Sequence, residues 1–320
     1  MELVPVDAVE VAIIMDTYID ILMAGQDGVQ RYPLAYDWSD REQLQAEHGF
    51  SALITIERDG GSSSILYDGG LTADGLQRNL EVMAVNPADL RAIVISHGHV
   101  DHHGGLEGLF RTFGKQRLPL LIHPGAWRER RVVFPTGAEL HLPPPSLNDL
   151  EAEGLDVISE TGPSLLIDGH ALVSGQVERI SEFEHGFPLH QARMDDGQGW
   201  EPDPLILDDQ NLIVDVAGTG LVIVSGCSHA GAVNVAVNAL RLTGSSQIAG
   251  FIGGFHLTGQ VFEPLIEPTV AAFRAFRIQR VVPGHCTGWR ATHRLAAAMP
   301  EAFVQPSVGS VFRFGAEAVN

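Results

Sequence analysis

The chain has 320 residues, 45% of them hydrophobic, and carries 40 acidic against 20 basic side chains, a formal net charge of −20. That length and apolar content support one large folded core or two small ones. The charge repels phosphate backbones and anionic membrane surfaces, and Lys115 is the sole lysine, so neither nucleic acid nor membrane is an expected partner.

Near the start, "VEVAIIMDTYIDILMAG" is apolar, but Glu10, Asp16 and Asp20 interrupt it and no basic stretch precedes it. It therefore fits neither a signal peptide nor a membrane span, and a cytoplasmic address is the expectation. Two cysteines, Cys227 and Cys286, are too few for a disulfide framework, which agrees with a reducing compartment. Residues 50–58, "FSALITIER", alternate as a strand does, and "GGSS" turns the chain into "SILYDGG", whose strand ends at Asp68. Residues 73–85 place Leu76, Leu80 and Met83 at helical spacing, and "RAIVIS" is a short buried strand that runs into "SHGHVDHHGG".

Strand, histidine-bearing turn and helix follow one another again in "LVIVSGCSHAGAVNVAVNALRLTG" and in "RIQRVVPGHCTGWRATHRLAAAM". Three strand ends thus deliver histidines to one rim, where side chains of an α/β protein reach a ligand. Between about 125 and 200 the sequence is rich in Pro, Gly and acids with weak periodicity, the texture of an insertion lying over the site of a single domain spanning 1–320. There is no internal repeat or low-complexity tract.

His97 and His99 are two apart in a segment leaving a strand, so both imidazoles face one way and can share a metal ion. Asp101 and His102 follow as the chain turns into a helix, which aims them at a second position nearby. Four histidines and an aspartate in eight positions suit one or two cations better than a lone catalytic base. Candidates for a third ligand to the first ion are His229 in "SGCSHAG", His256 in "GGFHL" and His285 in "VPGHCTG". His285 also follows an apolar strand. Cys227 and Cys286 neighbour these histidines, as thiolates at the metal or as small buried hydrophobes. Asp208, Asp209, Glu182 and Glu184 read as solvated loop acids, and His103, His123, His141, His170, His190 and His293 as ordinary histidines.

H-x-H-x-D-H after a buried strand, preceded by "LYDGG" and followed by "PGH", resembles the metallo-β-lactamase fold superfamily. Within it, "AEHGFSALI", "DDQNLIVDVAGTGLVIVSGCSHAG", "IGGFHL" and "HCTG" resemble the subgroup named after 7,8-dihydropterin-6-methyl-4-(β-D-ribofuranosyl)aminobenzene-5′-phosphate synthase, over residues 47 to 290 or so. The resemblance implies an α/β fold, a four-layer αββα sandwich of two mixed sheets with the metal site at their edge. It implies that His97 and His99 hold a first metal, with His229 preferred over His256 as its third ligand and that choice open, that Asp101, His102 and His285 hold a second, and that Asp68 braces the histidine loop. His48 matches a subgroup motif and is placed near the substrate. The chain departs from the usual pattern at "SGCSH", where Cys227 or His229 stands in place of a bridging aspartate, and no "H-T-x-G-H" occurs; His185 falls in its region.

The expected activity is metal-dependent hydrolysis of a small anionic, phosphorylated or pterin-like molecule by a metal-bound hydroxide. Zinc is the expected ion, one or two per chain, with iron or manganese as alternatives. Asp101 would orient or deprotonate the nucleophile and His256 donate a proton. Alternatives are a transferase like the methanopterin-precursor synthase, whose reaction is a condensation releasing pyrophosphate and carbon dioxide, a mononuclear iron oxidoreductase, or a metal-dependent binding protein of low turnover.

Overall fold

Alternating burial along Ala8–Met15 and Ser51–Arg58 sets one face of each strand into the interior, and these two strands pair antiparallel at the centre of an eight-stranded sheet. The computed structural model describes residues 2–33, 42–115 and 117–315. In spatial order the first sheet is Val29–Gln30, Val311–Gly315, Ala8–Met15, Ser51–Arg58, Gly61–Tyr67, Leu90–Val94, Pro119–Ile122 and Asp156–Ser159. It is antiparallel up to Gly61–Tyr67 and parallel beyond it. A six-stranded sheet, Ser164–Leu166, Ala171–Val173, Asn211–Val216, Gly220–Ser225, Ile248–Gly254 and Arg280–Gly284, likewise turns from antiparallel to parallel.

The two sheets bury Val11, Ile54, Ile65, Val94, Val224 and Ile252 between them. Helices Ala73–Val82 and Leu106–Phe113 cover the outer face of the first sheet through Leu76, Leu80, Leu106 and Leu109. Helices Ala232–Thr243, Ile266–Phe276 and Trp289–Ala298 cover the second through Val235, Phe273 and Leu295. This is the expected αββα sandwich: each strand run that is apolar on both faces needs a layer on either side. No helix among the described residues is long and apolar enough to cross a membrane.

Residues 125–200 are not one insertion. Asp156–Ser159 belongs to the first sheet, and Ser164–Leu166 and Ala171–Val173 to the second. The rest includes helix Leu147–Ala152 and strands of a separate four-stranded antiparallel sheet, ordered Trp200–Pro202, His190–Arg193, Arg130–Val133, Glu139–Leu142. Weak periodicity hid these strands because each is only three or four residues long, too short for a repeat of two to show.

The parallel strands all point the same way, so their C-terminal ends share one rim. Just past them the backbone bends through the left-handed region at Asp68 (φ 60°), Ser228 (φ 54°), His256 (φ 43°) and His285 (φ 47°). Non-glycine residues take such values at a cost of about 1–3 kcal/mol each and cluster where function demands it.

Candidate metal centre

Three imidazole nitrogens meet at this rim. His229 Nε2 lies 3.1 Å from His97 Nε2 and 3.2 Å from His99 Nδ1. A tetrahedral zinc with bonds of about 2.0–2.1 Å has ligand edges of about 3.3–3.4 Å, and these two separations come close to that length. Burial first, then the neighbouring imidazoles, pushes all three rings well below the usual histidine range. They are neutral, as ligands must be.

Beside this corner, Asp101 Oδ2 stands 3.3 Å from His285 Nε2 and 3.8 Å from His102 Nε2. Burial works to raise the Asp101 carboxyl, but His102 and His285 outweigh it and hold it below the carboxylate range. Among the described residues Nδ1 of His285 is buried without a hydrogen-bond partner, and Nε2 has the Asp101 ion-pair contact but no aligned hydrogen bond. Burial opposes a charge on that ring too, yet Cys286, Asp101 and Asp16 together push its pKa up to about 9. Anionic surroundings at an orphaned imidazole favour a positive charge, which a divalent cation supplies, so the residues present fit the metal that the motif implies.

Cys227 sits between the two groups, its Sγ 3.2 Å from His102 Nε2 and within 4.8 Å of ligand atoms from His97, His229, His256 and His285. The thiol thus faces five imidazoles. Cys286 packs against the Cys227 carbonyl at 3.6 Å. The His256 ring lies 4.4 Å from that of His229 and 4.4 Å from that of Phe262, with Nδ1 buried and unpartnered. His48 is at the mouth: its side chain is 68% exposed, with Nε2 3.8 Å from Asp101 Oδ2. His185 is exposed and outside every cluster of potential ligand atoms found among the described residues.

Carboxylates behind the rim fix the loops. Asp68 is fully buried, accepts from the Ser96 N–H at 2.7 Å and meets His102 Nδ1 at 2.7 Å. Asp208 and Asp209, expected as solvated acids, are buried: Asp208 accepts from the Gly98 N–H at 2.8 Å and Asp209 from the Ala230 N–H at 3.0 Å. Glu184 accepts from the N–H groups of Val233 and Asn234 at the start of the helix after His229. Asp16, whose role sequence reasoning missed, accepts from the His285 N–H at 2.7 Å. The signal was present, since Asp16 ends an apolar strand just as Asp68 does. Gly98 packs so closely that a Cβ there would stand 2.3 Å from the Ala126 carbonyl oxygen. Gly98→Ala is therefore expected to displace His97 and His99 and weaken zinc binding by about 10–100-fold, measured by chelator competition, while far-ultraviolet circular dichroism stays unchanged.

The model of the metallo-beta-lactamase superfamily matches residues 46–186. The chain is 29% identical over 299 residues to the 7,8-dihydropterin-6-methyl-4-(beta-D-ribofuranosyl)-aminobenzene-5'-phosphate synthase of Methanocaldococcus jannaschii, covering 90% of this chain and 97% of that protein. It is 30% identical over 274 residues to the uncharacterized protein MJ0448 of the same organism, covering 83% of this chain and 93% of the relative. The chain belongs to the metallo-beta-lactamase superfamily. A solved structure described as a metal-dependent hydrolase of the beta-lactamase superfamily superposes with a TM-score of 0.71 at 21% identity, covering 97% of this chain and all of that one. At that identity the likeness speaks for the fold. That superfamily is mostly enzymatic and metal-dependent, and this chain has candidate His/Cys metal sites.

Proposed function

We propose that the protein is a metal-dependent hydrolase of a small anionic molecule, with zinc held by His97, His99 and His229 and a second ion by Asp101, His102 and His285. The observation that carries this reading is that His229 Nε2 meets His97 Nε2 at 3.1 Å and His99 Nδ1 at 3.2 Å. When bound, such ions lower the pKa of water to about 7 and polarise a substrate oxygen. The remaining steps belong to the chain. Asp101, ionised and at the centre between His102, His285 and His48, orients the attacking water. His256, with a free Nδ1 at the rim, hands a proton to the leaving group. His48 at the mouth meets the anionic end of the substrate, and Asp68 holds the His102 ring in place.

A second reading is a pterin-joining transfer like that named for the M. jannaschii synthase, favoured by a similarity that runs through 97% of that relative. Metal-loaded protein should be assayed on phosphodiesters, lactones and thioesters and, separately, on a dihydropterin with an aminobenzene ribofuranosyl phosphate, with products read by mass spectrometry. Water incorporated into the product supports the hydrolase; a joined pterin product supports the transferase. Turnover of neither class, or turnover unaffected by His97→Ala, overturns both.

Cys227 takes the place of a bridging carboxylate in this proposal. Cobalt(II)-loaded protein is expected to show a thiolate charge-transfer band in the near ultraviolet that Cys227→Ser abolishes. A band equally strong in the serine variant assigns it to Cys286 instead.

A further inference from the structure

His190 was an ordinary histidine by sequence, yet it is fully buried and its Nε2 lies 2.9 Å from His99 Nε2. Its other nitrogen, Nδ1, lies 3.1 Å from the Asp203 main-chain carbonyl oxygen. A carbonyl only accepts, so His190 Nδ1, which also lies 3.7 Å from Asp203 Oδ2, carries a proton, and in the neutral ring His190 Nε2 is a bare acceptor. The hydrogen bond between the two rings then requires His99 Nε2 to be the donor. That leaves His99 Nδ1 without a proton, and this is the atom 3.2 Å from His229 Nε2.

We propose that His190 is the positioning residue of the first metal: it fixes the tautomer and ring orientation of His99 so that Nδ1 faces the ion. The proposal rests on the metal-site reading above. The third sheet supplies a second hold on the same loop. Arg130 on the neighbouring strand is almost fully buried and bonds Asp203 Oδ2 through Nε at 2.9 Å and Asp208 Oδ2 through Nη1 at 3.0 Å. Asp208 Oδ2 in turn accepts from the Gly98 N–H at 2.8 Å. The small sheet therefore holds the His97–Gly98–His99 turn directly at a ring nitrogen and, by way of Asp208, at a backbone amide. This gives the sheet a function: it anchors the metal loop from behind.

The test uses the full-length protein. Long-range 15N–1H correlation spectra report which ring nitrogen of His99 is protonated; the expected answer is Nε2, and this needs no variant. Zinc affinity by chelator competition is then compared for wild type, His190→Leu and His190→Gln. Loss of the acceptor in His190→Leu is expected to weaken the first site by about 10–100-fold and to mix the His99 tautomers. His190→Gln keeps an acceptor near the Nε2 position and should recover most of the affinity and the single tautomer. A proton on Nδ1 of His99 in the wild type overturns the inference. So does equal affinity for all three proteins, or equal loss in both variants with an unchanged His99 spectrum, which marks a merely structural residue. Absence of first-site zinc in the wild type with the Nε2 tautomer intact defeats the metal-site reading instead and leaves the His190 hydrogen bond standing.

Discussion

Replacing His229 with alanine is expected to empty the first cation position. A nitrogen of His229 within 3.2 Å of one on His97 and one on His99 makes a corner that two rings cannot: the ion loses a third of its protein bonds there, and water must replace a neutral, preoriented imidazole. Metal content after dialysis should fall by one equivalent per chain. Activity should fall by more than the roughly 10–100-fold that loss of a ligand's hydrogen-bond partner brings. His185→Ala, at the exposed position where the usual third motif would fall, should change neither quantity. An unchanged stoichiometry in His229→Ala, or a loss in His185→Ala, would place the third ligand elsewhere.

Arg130→Met is expected to carry the largest cost in stability. The guanidinium lies between Asp208, whose side chain is fully buried, and Asp203, 11% exposed, with Nη2 to Asp208 Oδ1 at 2.5 Å. Burial acts to lower the pKa of Arg130, but Asp208 and Asp203 outweigh it and raise it above the usual arginine value. Removing one partner of such a group leaves buried carboxylates uncompensated, at about 3–5 kcal/mol, measurable as a lower urea midpoint at unchanged slope. The double variant Arg130→Met with Asp208→Leu should regain stability, because an apolar pair replaces an orphaned charge. It should not regain zinc affinity, because the Gly98 amide has lost its acceptor. Recovery of both would show that Asp208 serves Arg130 alone.

The layers of the fold were legible because long strands and amphipathic helices write their burial into a repeat: Ser51–Arg58, Gly61–Tyr67, Ala73–Val82 and Ala232–Thr243 lie within a few residues of their expected positions. The candidate metal cluster was legible because His97, His99, Asp101 and His102 are close in sequence and share one turn. What escaped was held by contacts between distant, unremarked residues. His190 meets His99 across 91 positions and Asp16 meets His285 across 269; neither carries a local pattern, and the acids of "LDDQ" look the same whether solvated or buried. Cys227 was ambiguous for a related reason, since a thiol packs as well as it ligates, and only the neighbouring rings tell which.

Asp208 and Asp209 are one peptide bond apart yet serve loops on different strands, the first through the amide of Gly98 and the second through that of Ala230. Inserting or deleting a single residue in this stretch would reassign both carboxylates at once, leaving each histidine turn to find a new anchor. The segment should therefore tolerate changes of side chain elsewhere along it far better than changes of length, and any lineage that altered its spacing would have had to rebuild two distant bends in the same step.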